Sequence, residues 1–142
     1  MKPLMPSFDR RSARDMLVDA GLRPTRQRLS LAELLFAKGD RHVSAELLQQ
    51  EAEKVNVSVS LATIYNTLHQ FTQAGLLREV AVEGNKAYFD TNTSDHHHFF
   101  FEEDNRVVDI PGGMSVDALP EVPEGMEITR VDVVVRLRRK KN

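Results

Sequence analysis

The chain contains no cysteine. A disulfide framework, a cysteine zinc ribbon and thiolate catalysis are therefore excluded. With no staple required, a reducing compartment is the expectation. It also lacks any run of about 18 apolar residues, the length a membrane-spanning helix needs. Residues Met1 to Pro6 show nothing like the roughly 7–15-residue apolar stretch of a secretory signal, so a cytoplasmic location is expected. At 142 residues the chain is too short for most large catalytic folds and fits one domain or two small ones.

What is present is balanced. Apolar residues make up 41% and charged residues 28%, which suits a soluble globular protein and is too apolar for a disordered one. The net charge of −2 hides an uneven distribution. Residues 1–28 carry seven Lys/Arg against three Asp/Glu, residues 95–127 nine acids against one base, and residues 130–141 six bases against one acid. A basic start and an acidic middle suggest two modules with different partners.

The periodicity predicts four helices. A loose arm over residues 1–9 precedes a first helix capped by Ser12, with Asp15 three residues on, and stopped by Gly21. Pro24-Thr25 opens a second helix over Leu29, Ala32, Leu35 and Phe36, and Gly39 sits just past its end. Ser44 caps a third, with Glu46 in its first turn and Leu47, Leu48, Ala52 and Val55 as its apolar face. Ser58 or Ser60 caps a fourth, which buries Leu61, Ile64, Leu68 and Phe71 and ends at Gly75. The period then changes: Leu76 to Val82 and Lys86 to Asp90 read as a hairpin about the turn Glu83-Gly84-Asn85. Helices followed by a small hairpin suggest a winged helix-turn-helix over residues 1–90.

The polar stretch Thr91 to Ser94 marks the module boundary. In the second module, residues 95–142, His96 to Phe101 and Arg106 to Ile110 read as strands joined by the acidic turn 102–105. Ser115 to Leu119 could form one helical turn, and Ile128 to Leu137 reads as a strong strand that would pair across a dimer axis or, alternatively, lie as an internal edge strand. The expected fold class is α+β, a winged helix-turn-helix followed by an α/β dimerisation domain.

A helix that reads the major groove needs one buried face and hydrogen bonders near the N-terminal half of the other. The fourth helix supplies Ser60, Thr63, Asn66 and Thr67 on its outer side, with Tyr65 at the edge. Affinity comes mainly from phosphate contacts, for which Arg10, Arg11, Arg14, Arg23, Arg26, Arg28 and the wing residue Lys86 are available; arginines on solvated helix faces are the plainer reading. His96, His97 and His98 are consecutive. On a strand, His96 and His98 share one side and His97 faces the other. Two imidazoles on one side can share a metal, and His42 and Asp90 could complete an N/O site suited to Fe(II), Mn(II) or Zn(II). Haem iron also accepts an axial imidazole, and Phe99, Phe100 and Phe101 could cover a porphyrin or simply form sheet core. His69 reads as surface or core filler. No general base stands out, so an enzyme, such as a small metallohydrolase, is the weaker reading.

These residues resemble a known family. Gly21-Leu22-Arg23-Pro24-Thr25-Arg26-Gln27-Arg28, His42-Val43-Ser44-Ala45, Ala62-Thr63-Ile64-Tyr65-Asn66-Thr67-Leu68, Ala74-Gly75-Leu76 and the histidine cluster occur in the order found in the ferric uptake regulator family. The absence of cysteine and the His96-His97-His98 run are similar to its alphaproteobacterial iron response regulator branch. The resemblance implies an iron-status-responsive, dimeric transcription regulator that binds double-stranded DNA. It implies a regulatory metal site of His42, Asp90, His96 and His98. A second site would use Asp95 and His97, its downstream histidine replaced by Val131. It implies haem at His96, His97 and His98 controlling operator binding, or alternatively control by Mn(II) or Fe(II) at the regulatory site. Arg23 would enter the minor groove and Tyr65 the major groove, and Asn66 stands where many relatives carry Arg.

Overall fold

The computed structural model describes residues 8–83, 86–94, 96–112 and 118–141. Arm residues 1–7, the turn residues Gly84 and Asn85, Asp95 and most of the expected helical turn at 115–119 lie outside the described residues, as does the side chain of Lys86. The chain divides into two units, Met1–Thr93 and Ser94–Asn142.

In the first unit, α1 (Arg10–Asp19), α2 (Arg26–Phe36), β1 (His42–Val43), α3 (Ala45–Lys54), α4 (Leu61–Gln73), β2 (Arg78–Glu83) and β3 (Lys86–Asp90) follow in order. Every helix opens on an oxygen-bearing side chain that accepts a backbone N–H three residues on: Asp9 from Ser12, Thr25 from Arg28, Ser44 from Leu47 and Ser60 from Thr63. Each cap satisfies one of the N–H groups that the helix itself leaves without a partner. Ser12, expected as a cap, lies inside α1 and gives both its N–H and its hydroxyl to Asp9 Oδ1. A carboxylate one turn earlier is favoured at the positive end of the helix. At the other end, Gly21 (φ 79°) and Gly75 (φ 84°) take the left-handed conformation that lets the chain turn away.

Leu17, Leu31, Leu35, Leu48, Ile64, Leu68, Phe71 and Phe89 are wholly buried in one cluster. The apolar face of α3 is narrower than expected. Ala45, Leu48 and Ala52 are buried, whereas Leu47 and Val55 are 38% and 53% exposed. Neighbouring helix positions point about 100° apart, so a strip of small residues buries Leu48 and turns Leu47 outward. The sheet runs β1-β3-β2, all antiparallel, with His42 opposite Asp90, Val43 opposite Phe89, and Arg78 on the far side of Asp90. Helices followed by this hairpin make a winged helix-turn-helix.

The second unit holds β4 (His98–Phe101), β5 (Arg106–Asp109) and β6 (Val134–Leu137) in the order β5-β4-β6. The hairpin β4–β5 is antiparallel, while β6 runs parallel to β4. All three expected strands are shorter than their patterns, β5 by one residue at Ile110. β4 begins at His98 rather than His96, and β6 at Val134 rather than Ile128. The four-residue β4 offers the pairs His98↔Val134 to Phe101↔Leu137; just before them the Val133 carbonyl still accepts the His98 N–H, but the Val133 N–H goes to the His97 side chain instead of a strand. No helix of the unit is among the described residues. Among all described residues, no helix is long and apolar enough to cross a membrane.

Candidate metal centre and nucleic-acid interface

Ser60 and Asn66 are exposed on α4, and Thr63 and Tyr65 are half-buried. Ser60 gives its hydroxyl to Thr63 Oγ1 at 2.8 Å. Thr67, expected on the outer face, is buried and donates to the Thr63 carbonyl at 3.0 Å. It falls on the same stripe as Ile64, Leu68 and Phe71, and a hydroxyl returned to the preceding turn tolerates that burial. Tyr65 donates its hydroxyl to Glu46 Oε1 at 3.1 Å. Partial burial, and then this carboxylate, push the phenol above its ordinary value of 10.0.

The arginines divide into two groups. Arg10 bonds Ser30 at 3.2 Å and pairs with Glu33 at 2.9 Å. Arg28 ties the Arg23 carbonyl to Gln70 of α4, at 2.9 and 3.0 Å. Both brace helices. Arg11, Arg14, Arg23 and Arg26 are exposed and can meet phosphate.

Within the first unit, His42 Nε2 lies 3.0 Å from Asp90 Oδ2. Asp90 is wholly buried, and its Oδ1 accepts the Asn92 N–H at 2.8 Å. A buried carboxylate needs a cation or donors around it; besides His42, the register sets Arg78, 3% exposed, on its other side. Arg41, next to His42, forms a bidentate pair with Glu51 at 3.0 and 2.5 Å and bonds Thr91 through its N–H at 2.9 Å. This clip fixes the two-residue strand that carries His42.

Within the second unit, His96 Nε2 and His98 Nε2 lie 3.1 and 3.5 Å from one oxygen, Asp109 Oδ1. Their rings stand 4.5 Å apart, and His98 is wholly buried. His96 Nδ1 faces the Ser94 carbonyl. A carbonyl oxygen only accepts, so Nδ1 carries the proton. Nε2 then faces a carboxylate oxygen, an arrangement in which both atoms could ligate one cation. Ligand atoms that lie about 2.0–2.2 Å from a metal stand about 3–4 Å from one another, so this spacing fits a divalent ion. His97 is turned elsewhere: its Nδ1 accepts the Val133 N–H at 3.1 Å. Asp109 was missed by sequence reasoning, although the signal existed. A four-residue turn at 102–105 pairs Phe101 with Arg106, and counting back sets Asp109 opposite His98.

The sequence model of the Ferric uptake regulator family matches residues 19–136. The chain belongs to that family. The Ferric uptake regulation protein of Bordetella parapertussis is 41% identical over 81 residues, 56% of this chain and 58% of that protein. Its Vibrio cholerae counterpart is 38% identical over 80 residues, 56% of this chain and 53% of that protein. The chain thus spans about half the length of the curated relatives it matches. Among solved structures, the Pseudomonas aeruginosa ferric uptake regulator with manganese aligns at TM-score 0.68 and 26% identity, covering 91% of this chain and 98% of that one. The Vibrio cholerae regulator aligns at 0.69 and 27%, covering 89% and 98%.

Proposed function

We propose that this chain is a metal-responsive DNA-binding transcriptional regulator that acts as a homodimer. The residues we assign to DNA are Arg23, Ser60, Thr63, Tyr65 and Asn66, with exposed arginines supplying phosphate attraction. The residues we assign to regulatory metal are His42 and Asp90 in the first unit and His96 and His98 in the second, where Asp109 lies beside both histidines. Imidazole and carboxylate donors without thiolate suit Mn(II), Fe(II) or Zn(II), and the Pseudomonas aeruginosa relative was solved with manganese. The observation that carries the reading is the pair of imidazole nitrogens, on His96 and His98, converging on Asp109 Oδ1. Bound there, the metal supplies positive charge that holds these donors in one arrangement. A metal changes DNA affinity only by binding better to one arrangement than another.

Haem control and the iron response regulator branch are the finer expectations. Less supports them. Haem needs an imidazole nitrogen open to a flat macrocycle, whereas His98 is wholly buried and His97 commits Nδ1 to Val133. The experiment selects a duplex from a random pool with the purified chain in Mn(II). Its affinity is then compared in Mn(II), in chelator and in haem. The expected result is at least a fivefold change between Mn(II) and chelator, the lower end of typical coupling, lost in His96→Ala and Asp109→Asn. Equal affinity in both, or no duplex held above background, overturns the reading.

A further inference from the structure

His69 has no role in the reading above, yet its ring sits between two others. One turn back on α4 it stacks on Tyr65, with centroids 6.4 Å apart and planes at 22°. It also meets the ring of Phe89 edge-on, at 5.7 Å and 77°. Phe89 is wholly buried and immediately precedes Asp90 on β3. Across the sheet it pairs with Val43, which immediately follows His42. At the other end of the stack, the Tyr65 hydroxyl is held by Glu46. An unbroken run of ring contacts therefore joins the strand pair bearing His42 and Asp90 to the tyrosine on the helix assigned to DNA, entirely within the first unit.

We propose that His69 is a positioning residue that carries the state of the His42–Asp90 pair to Tyr65. This rests on the function proposed above. Asp90 and Phe89 are consecutive residues of one strand, so an ion that draws in the Asp90 carboxylate shifts the backbone that holds Phe89. Phe89 lies in a core packed as densely as an organic crystal and passes a displacement on rather than absorbing it. His69 is the exposed side chain through which that displacement reaches the phenol ring. Coupling between two ligands is a free energy shared by both, so the DNA-induced change in metal affinity must equal the metal-induced change in DNA affinity.

The test uses the full chain and the duplex selected in Mn(II). Duplex affinity is measured with Mn(II) and with chelator for the wild type, His69→Leu and His69→Phe. Mn(II) affinity is measured with and without duplex. The wild-type ratio is expected between about 5 and 150, the typical span of such coupling. In His69→Leu it falls toward one, and the reciprocal change in Mn(II) affinity falls with it, while Mn(II) affinity without DNA stays within about twofold. His69→Phe keeps an aromatic ring and retains most of the ratio. Circular dichroism melting verifies that both variants fold, as expected for an exposed position. If His69→Leu keeps the wild-type ratio, the proposal is overturned while the regulator reading stands; this includes equal weakening in both conditions, the mark of a direct DNA contact. Loss of the ratio in His69→Phe as well would also overturn it. A wild-type ratio of one removes the regulator reading and this proposal together.

Discussion

The two units stabilise themselves by different means. The first closes its own core: four capped helices and a three-stranded sheet bury Leu17, Leu31, Leu35, Leu48, Ile64, Leu68, Phe71 and Phe89 completely. In the second, the buried side chains among the described residues are Phe100, Val107 and His98, while Leu119, Val122, Met126 and Ile128 are exposed. Among the described residues, these three four-residue strands bury far fewer apolar side chains than the first unit does. The first unit has a core of its own that can hold in place the helix we propose to read DNA. The second has little apolar core among its described residues, and it is there that the proposed second copy of the chain would add burial.

The contrast can be tested by perturbing each unit in turn. Phe71→Ala is expected to cost the first unit about 3–5 kcal/mol, the usual range for emptying a fully packed phenylalanine site. Phe100→Ala should leave the melting of the first unit unchanged and abolish dimerisation by light scattering. A shared loss of melting temperature in both variants would mean that the units do not differ as described. Next in size, Glu51→Ala leaves the Arg41 guanidinium without its carboxylate and should cost about 2–3 kcal/mol by urea denaturation. It should also weaken Mn(II) binding, because β1 loses its clip.

Smaller effects follow at the helix ends. Ser60→Ala removes the cap of α4 and should cost about 1 kcal/mol, lowering duplex affinity with and without metal alike. The smallest change expected is at Asp9. The Ser12 N–H, and then the Ser12 hydroxyl, hold its carboxyl below the usual 3.8. A carboxyl depressed in the folded state stabilises the fold above its unfolded value and ceases to do so as pH falls through the folded one. Wild type and Asp9→Ala should therefore differ in melting at neutral pH and converge as pH drops below about 4. A difference that persists in acid would show that the cap acts without its charge.

Much of the first unit was legible because its signals are local. Thr25, Ser44, Gly21 and Gly75 each act through bonds within a few residues, so spacing alone located the starts of α2 and α3 and the ends of α1 and α4, while it left the cap of α4 open between Ser58 and Ser60. Ser12 misled because Asp9, three residues earlier, offers the same capping chemistry and takes the Ser12 N–H and hydroxyl itself. Leu47, Val55 and Thr67 misled because residue type says how costly exposure is, not which side faces a neighbour. In the second unit, the alternation from Ile128 to Leu137 implied a long strand, but the Val133 N–H goes to the His97 side chain instead of a strand.

The donor atoms followed the same division. His42, Asp90, His96, His97 and His98 could be chosen from chemistry and order along the chain. That His97 turns away to Val133, that Asp109 joins His96 and His98, and that His69 lies between Tyr65 and Phe89 depend on pairings between residues distant in sequence. The amino-acid order by itself determined the helix caps, the apolar stripes, the family and the kinds of ligand atom available, because each of these is set within a few residues by bond geometry and side-chain chemistry. Only the tertiary structure decided which donors converge and which rings touch, because strand register and core packing are settled by the whole unit at once.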